Sequence, residues 1–333
     1  MARPTTGVIV MAAFEPDPEL FRRQLVSLAA QTVQDFECII SPDSDPAPLA
    51  RVLADTLPDD DRFRILETGG ERLGFYLNFE RALKAVAPDA PWVALADQDD
   101  WWYPEKLEKM IPLLDEYGMV SGQARLVQYP SGTELGTTHR EDASLPQLML
   151  SNQFTGSLSI FRGDLLRLAL PFPRLTTRAA AHDHWLAVCA AATTGTRVTS
   201  EIVQDYVQHS ANVFGDPTAM APSRSLVSSW KNARRMSRNA EGGDGLGAIV
   251  RTTYNVYVGW RELLTTALQE RLGAAGALQT VSPTFGPDRR LRNLLPVLRE
   301  GVRTGYVPRG FAVQYLASWW CGFIIPRSRR RPS

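Results

Sequence analysis

The first hundred residues alternate continuous apolar runs with segments at helical spacing. Gly7–Ala13 is unbroken in its apolar character, as a strand inside a parallel sheet is. Phe14-Glu-Pro-Asp-Pro stops it, and Leu20, Leu25, Leu28 and Ala29 then predict a helix over Leu20–Gln31. Asp35–Ser41 and Phe63–Glu67 read as strands, and Leu49–Leu57 and Phe75–Val86 as helices. Trp92–Ala96 is a fourth strand, apolar along its whole length and therefore buried. Strands alternating with helices at this spacing predict an α/β fold with a mainly parallel, three-layer sheet. Ligands of such sheets sit beyond the carboxyl ends of the strands, which gathers Glu15, Asp43, Arg72 and the acidic run Asp97–Asp100 around one crevice.

Past Tyr117 the pattern changes. Met119–Tyr129 alternates like a strand and turns at Pro130-Ser-Gly-Thr; Leu145–Asn152 suits a short helix and Phe154–Phe161 a strand. A helix continues from the His182–His184 region through Ala187–Ala192. Pro217–Pro222 suits a linker, so the expected division is 1–215 and 216–333, the second part mostly helical and basic. In it, Ser225–Arg238 and Ile249–Leu272 read as helices, Thr280–Asp288 as a loop, and Leu291–Arg303 as a helix that Pro296 kinks or divides. Phe311–Ile325 is nearly all apolar and aromatic and precedes an arginine-rich tail; fifteen residues fall short of the ~20 of a membrane span. Residues 311–331 therefore fit either an interfacial contact with a membrane surface or a terminal helix docked on the core.

The formal net charge of the 333 residues is zero, but its distribution is not even. Residues 1–222 carry 18 Lys/Arg against 30 Asp/Glu, and residues 223–333 carry 18 against 6. Either the basic part meets something anionic or the two parts dock on each other. Aromatic residues interleave the basic tail in one stretch only, which argues against nucleic acid. Cys38, Cys189 and Cys321 are odd in number, far apart and in apolar surroundings, as buried thiols of a reducing cytoplasm are. No apolar leader precedes the first strand.

The chemistry concentrates where the fourth strand ends. Asp97-Gln98-Asp99-Asp100 is followed by Trp101, Trp102 and Pro104. Carboxylates this close repel one another, so the cluster fits a divalent cation, Mg²⁺ or Mn²⁺ ahead of zinc because the donors are hard oxygens. It equally fits an acidic cap on the helix that begins near Pro104. Trp101 and Trp102 offer faces for a sugar ring or pack the following helix. Asp183 stands where a helix starts, either as a cap or as a proton acceptor. Gly69, Gly70 and Gly74 do not make a dinucleotide fingerprint, and no P-loop lysine is present.

Five segments in fixed order carry a resemblance. They are Val8-Ile-Val-Met-Ala-Ala-Phe, Gln31-Thr-Val-Gln-Asp-Phe-Glu, Ser41–Asp45, Arg72-Leu-Gly-Phe-Tyr-Leu-Asn-Phe-Glu-Arg-Ala-Leu, and Asp97 through Leu107. Together they resemble glycosyltransferase family 2, nearest the rhamnosyltransferase-like group that builds bacterial surface polysaccharide. The resemblance implies a GT-A fold, a TDP- or UDP-sugar donor, Mn²⁺ or Mg²⁺, inversion at the anomeric carbon, and a glycan or lipid-linked glycan acceptor at the inner face of the membrane. It implies donor contacts from Ala13, Glu15, Asp43, Arg72, Asp97 and Gln98, although Ser-Pro-Asp-Ser-Asp departs from the usual Asp-Asp and Gly of that loop. It implies metal contacts from Asp99, Asp97 and His209, the last in Tyr206-Val-Gln-His-Ser-Ala-Asn-Val. Asp183 takes the position of the general base. Asp100, Trp101, Trp102, Gly156, His182 and His184 fall on the acceptor and sugar side, where Gly156 allows close approach or forms a bulge. The altered loop keeps a non-catalytic carbohydrate-binding scaffold as an alternative. A sugar nucleotidyltransferase would need a Gly-rich basic loop after the first strand, which Phe14-Glu-Pro-Asp-Pro is not.

Overall fold

The apolar runs become strands at the expected places. In the computed structural model, which describes residues 6–174, 180–209, 234, 237, 238, 245–273 and 276–324, Gly7–Ala13 is β1 and Phe36–Pro42 is β2. Phe63–Ile65 is β3 and Trp92–Ala96 is β4. β1 pairs in parallel with β2 and β4, and β2 in parallel with β3. Three helices connect them: α1 (Pro18–Ala29), α2 (Ala47–Thr56) and α3 (Phe75–Lys84). The Asp17 carboxylate starts α1 by accepting from the N–H groups of Glu19 and Leu20 at 2.9 and 3.1 Å.

The later strands convert the sheet from parallel to mixed. They are β5 (Trp101–Trp102), β6 (Met119–Gln128), β7 (Thr133–Thr137), β8 (Ser159–Arg162) and β9 (Thr196–Gln208). The described residues form one sheet in the order β3-β2-β1-β4-β8-β6-β9-β5, with β7 paired on β6. β8 is antiparallel to both β4 and β6, and β5 antiparallel to β9. β5 and β9 thus lie at the mouth of the parallel half, next to the end of β4. Ile9, Met11, Ile40, Ala94, Trp102, Leu107 and Val203 belong to one buried cluster, which fixes that end of the sheet.

Contacts divide the chain into two compact units. The first contains the sheet. In the second, α5 (Leu145–Leu150) associates with helices from beyond residue 245. The buried Arg261 explains this: its guanidinium donates to the carbonyls of Met149 and Leu150 at 2.9 and 2.7 Å, the orphan acceptors at the end of α5. Hydrogen bonds to a charged group contribute about 1.5–3 kcal/mol each. Leu278–Phe285, expected as a loop, is helical, because Leu278, Val281 and Phe285 share a buried face. Pro296 does not divide the helix Leu291–Arg303. The segment Leu246–Leu272 is helical but shifts to π-helical bonding over Asn255–Gly259. Arg309–Ile324 is a helix of 16 residues with Val313 and Trp320 exposed. Among the described residues no helix is long and apolar enough to cross a membrane. The expected linker 217–222, the greater part of the basic helix 225–238, the Asn212–Gly215 motif and the tail beyond residue 324 lie outside the described residues.

Candidate active site

Asp97–Asp100 leaves β4 at its carboxyl end beside the end of β1. Gln98 fastens the two ends: Phe14 N–H donates to Gln98 Oε1 at 2.7 Å, and Gln98 Nε2 donates to the Phe14 carbonyl at 3.2 Å. Its amide is therefore committed to backbone. On the neighbouring loop, the Asp43 N–H donates to the Ala13 carbonyl at 2.7 Å. The Asp43 carboxylate, buried, accepts from Leu73 N and Gly74 N at 2.7 and 2.8 Å. It anchors the loop that carries Arg72, whose guanidinium lies 4.0 Å from the ring centre of Phe14. Gly74 takes a φ of +77°, which glycine adopts at little cost, and α3 begins directly after it. Glu15 is exposed, with a φ of 41° and its N–H 3.4 Å from Ser44 Oγ.

The three carboxylates of the cluster have different surroundings. Asp100 is buried, and both its oxygens are occupied: Oδ2 accepts from Gln204 Nε2 at 2.7 Å and Oδ1 from Val207 N at 3.1 Å. Asp99 is partly exposed, with its Oδ2 2.8 Å from His209 Nε2. His209 follows the last residue of β9, so a strand more than a hundred residues along the chain delivers it. Burial raises the Asp97 carboxyl above the ordinary range, and the charge of Asp99 raises it further, while the Ser157 hydroxyl opposes both. Burial likewise raises Asp99, against the contact with His209, and raises Asp100 strongly. Raised carboxyls that adjoin one another mark a place short of positive charge.

Asp183 lies in the first turn of α7 (His182–Thr193). Its Oδ1 accepts from the His184 N–H at 2.7 Å. Burial raises its pKa to about 6, opposed by the backbone N–H groups of His184 and Gly156 and by the charge of Arg140. Asp183 in turn is among the charges that raise Asp97. The turn Gly156–Leu158, 3₁₀ in form and not the strand expected there, joins the two clusters. Gly156 bonds Asp183 through its N–H, while the hydroxyl of the next residue, Ser157, meets the carboxylates of Asp97 and Asp100. The acidic run and Asp183 therefore face one site.

Several expected sugar-side residues lie elsewhere. Trp102 is fully buried in the core cluster and presents no open face to a sugar ring. Trp101 is half-buried, with the Arg23 guanidinium 5.7 Å from its ring centre. Asp100 is spent on β9 and does not point toward a sugar. His184 is buried. His182 is buried and stacks on Phe79 with ring centres 3.9 Å apart, and neither ring nitrogen has a hydrogen-bond partner. Burial pushes its pKa down to about 3, so it remains neutral and cannot screen Asp183 with positive charge. What His182 does is fix the turn: a Cβ on Gly156 would lie 2.6 Å from its Nε2. We expect Gly156→Ala to cost about 1–3 kcal/mol, as overpacking does, and to depress transfer. Thermal unfolding should show the loss and its relief by a second change, His182→Ala. An unchanged melting temperature for Gly156→Ala would contradict this packing.

Ser157, Gln204 and Arg140 are missing from the sequence-derived set. Single polar residues among apolar neighbours gave no signal of a shared site, though Gln204 occupies a buried position in β9 that only a partnered amide tolerates. Among the described residues no three His, Cys, Asp or Glu side chains form a ready-made metal cage. The available donors are the Asp99 carboxylate and the His209 imidazole, beside the crowded carboxyl of Asp97. That set suits Mg²⁺ or Mn²⁺, which take one or two protein ligands and complete their shell with water and substrate phosphate.

Comparison with known proteins places the sequence. The succinoglycan biosynthesis protein ExoW of Rhizobium meliloti (strain 1021) is 33% identical over 99 residues, 30% of this chain and 31% of that protein. The matched segment thus spans about a third of the relative's length. Among solved structures, TarS 1-349 of S. aureus in complex with UDP-GlcNAc is 14% identical with a TM-score of 0.48, over 94% of this chain and 90% of that one. TarS 1-349 without ligand gives 13% and 0.49 over the same shares. Residues 8–173 match the model of glycosyl transferase family 2, and with its α/β sheet and C-terminal helices the chain carries a domain of that family.

Proposed function

We propose that this chain is a metal-dependent, inverting glycosyltransferase that moves a sugar from a UDP- or TDP-sugar to a hydroxyl of a glycan or lipid-linked glycan during cell-surface polysaccharide synthesis. The observation that carries it is the Gly156–Ser157 turn, which holds Asp183 against the same site as Asp97 and Asp99. Asp183 accepts the proton of the acceptor hydroxyl as that oxygen attacks the anomeric carbon. Its half-burial keeps it basic, and its backbone donors hold it in place. Asp99 and His209, with Asp97 beside them, would hold Mn²⁺ or Mg²⁺, which neutralises charge on the departing diphosphate. The loop organised by Asp43 brings Arg72 to the nucleotide side, with Ala13 and Glu15 at the end of β1. The rhamnosyltransferase-like resemblance makes TDP-sugars as well as UDP-sugars the donors to screen.

The catalytic unit corresponds to residues 1–215 and the helical, basic part to 216–333. The exposed Val313 and Trp320 of the terminal helix support contact with the cytoplasmic face of a membrane, where a lipid-linked acceptor would lie. The test is incubation with UDP- and TDP-sugars and Mn²⁺, following donor cleavage and the anomeric configuration of the product by NMR. Metal-stimulated cleavage with inversion is expected; nucleotide-sugar binding without any turnover would favour a scaffold on this fold. The acidic limb of the rate profile should fall about tenfold per pH unit below about 6, because protonated Asp183 accepts nothing. A flat profile across that region would remove Asp183 as the base.

A further inference from the structure

One cation of the sheet-bearing unit is fully enclosed. Lys106 opens the short helix α4 (Lys106–Met110) and is 1% exposed, beneath the acidic run. No carboxylate touches its ammonium group. Nζ donates to the Ser157 carbonyl and, at 2.7 Å, to Gln204 Oε1, and it lies 3.3 Å from the ring centre of Trp102. A buried ammonium is costly unless its protons are used, and here two oxygens and an aromatic face surround it.

Each contact leads to the site. An ammonium has protons to give and no lone pair, so it compels the oxygen of the Gln204 amide to face it. The Gln204 nitrogen then faces Asp100 Oδ2 at 2.7 Å and Ser157 Oγ at 3.1 Å. The grip on the Ser157 carbonyl fixes the turn whose hydroxyl meets Asp97 and Asp100 and whose preceding N–H meets Asp183.

We propose that Lys106 is a positioning residue that couples the Asp97–Asp100 cluster to Asp183, acting through Gln204 and Ser157. The assignment rests on the site described under the proposed function and adds to it a group that touches neither substrate nor metal. Without the ammonium, the Gln204 amide loses its reason to point its nitrogen at Asp100, and the Ser157 turn loses its anchor.

The test is calorimetric titration of the full chain with UDP, with and without Mn²⁺, for wild type, Lys106→Met, Gln204→Met, the double variant and Asp99→Ala, each first checked for cooperative thermal unfolding. Lys106→Met and Gln204→Met should each weaken Mn²⁺-dependent UDP binding by ~10–100-fold, the cost of removing an outer partner of a metal site. UDP binding without metal should be unchanged, and the double variant should be no weaker than the weaker single one, as members of one chain of contacts behave. Wild-type affinity in a folded Lys106→Met overturns the proposal, as do losses that multiply in the double variant or that appear equally without metal. Should Lys106→Met not fold, wild-type affinity in Gln204→Met overturns it. If Asp99→Ala loses Mn²⁺-dependent binding while Lys106→Met keeps it, the Lys106 assignment alone fails. If Asp99→Ala also binds as wild type does, the site itself is misplaced.

Discussion

Asp183→Asn should fold, bind nucleotide with Mn²⁺ as the wild type does, and transfer sugar ~10²–10⁴-fold more slowly, the range that a positioned general base contributes. Asparagine keeps the shape and one oxygen to accept from the backbone donors at 156 and 184, so the turn should survive the change. What it lacks is a basic lone pair for the acceptor's proton. Single-turnover rates measured beside UDP affinity separate the two effects. Turnover near that of the wild type would leave Asp183 as no more than the cap of α7.

The second large effect is expected at the metal. Asp99→Ala removes the partly exposed carboxylate of the cluster and leaves His209 without its 2.8 Å partner. Loss of a direct ligand should exceed the ~10–100-fold that loss of an outer partner costs, so the Mn²⁺-dependent part of nucleotide affinity should vanish. The metal-independent part, which depends on the loop held by Asp43, should remain. Titration of UDP at varied Mn²⁺ reads both at once, and an unaltered Mn²⁺ dependence would take Asp99 out of the site.

The parallel half of the sheet is legible in the sequence because buried parallel strands are continuous apolar runs, and β1, β2 and β4 are such runs. β9 is hidden for the opposite reason. Its buried face includes Gln204 and Asp205, and such polar residues are tolerated only through distant partners. Arg125 forks onto Asp205 at 2.7 and 2.8 Å, and the Tyr103 hydroxyl donates to it at 2.6 Å. The carboxylates announce themselves by crowding, so Asp97, Asp99 and Asp183 could be chosen from the chain alone. Their supports could not. Gln98 closes on a backbone 84 residues away and Lys106 on a glutamine 98 residues away, and no local spacing encodes either. Trp102 misleads because an aromatic beside an acidic motif looks the same whether its face meets sugar or core. Leu278–Phe285 misleads because Pro283 suggests a loop, while the buried face formed by Leu278, Val281 and Phe285 outweighs the one N–H that proline lacks.

The most direct measurement is anomalous diffraction at the manganese edge from a crystal grown with Mn²⁺ and UDP. The account predicts a manganese peak ligated by Asp99, on the side of the cluster that faces Asp183, with the nucleotide diphosphate completing its shell. A peak ligated elsewhere, or one turned away from Asp183, would contradict it.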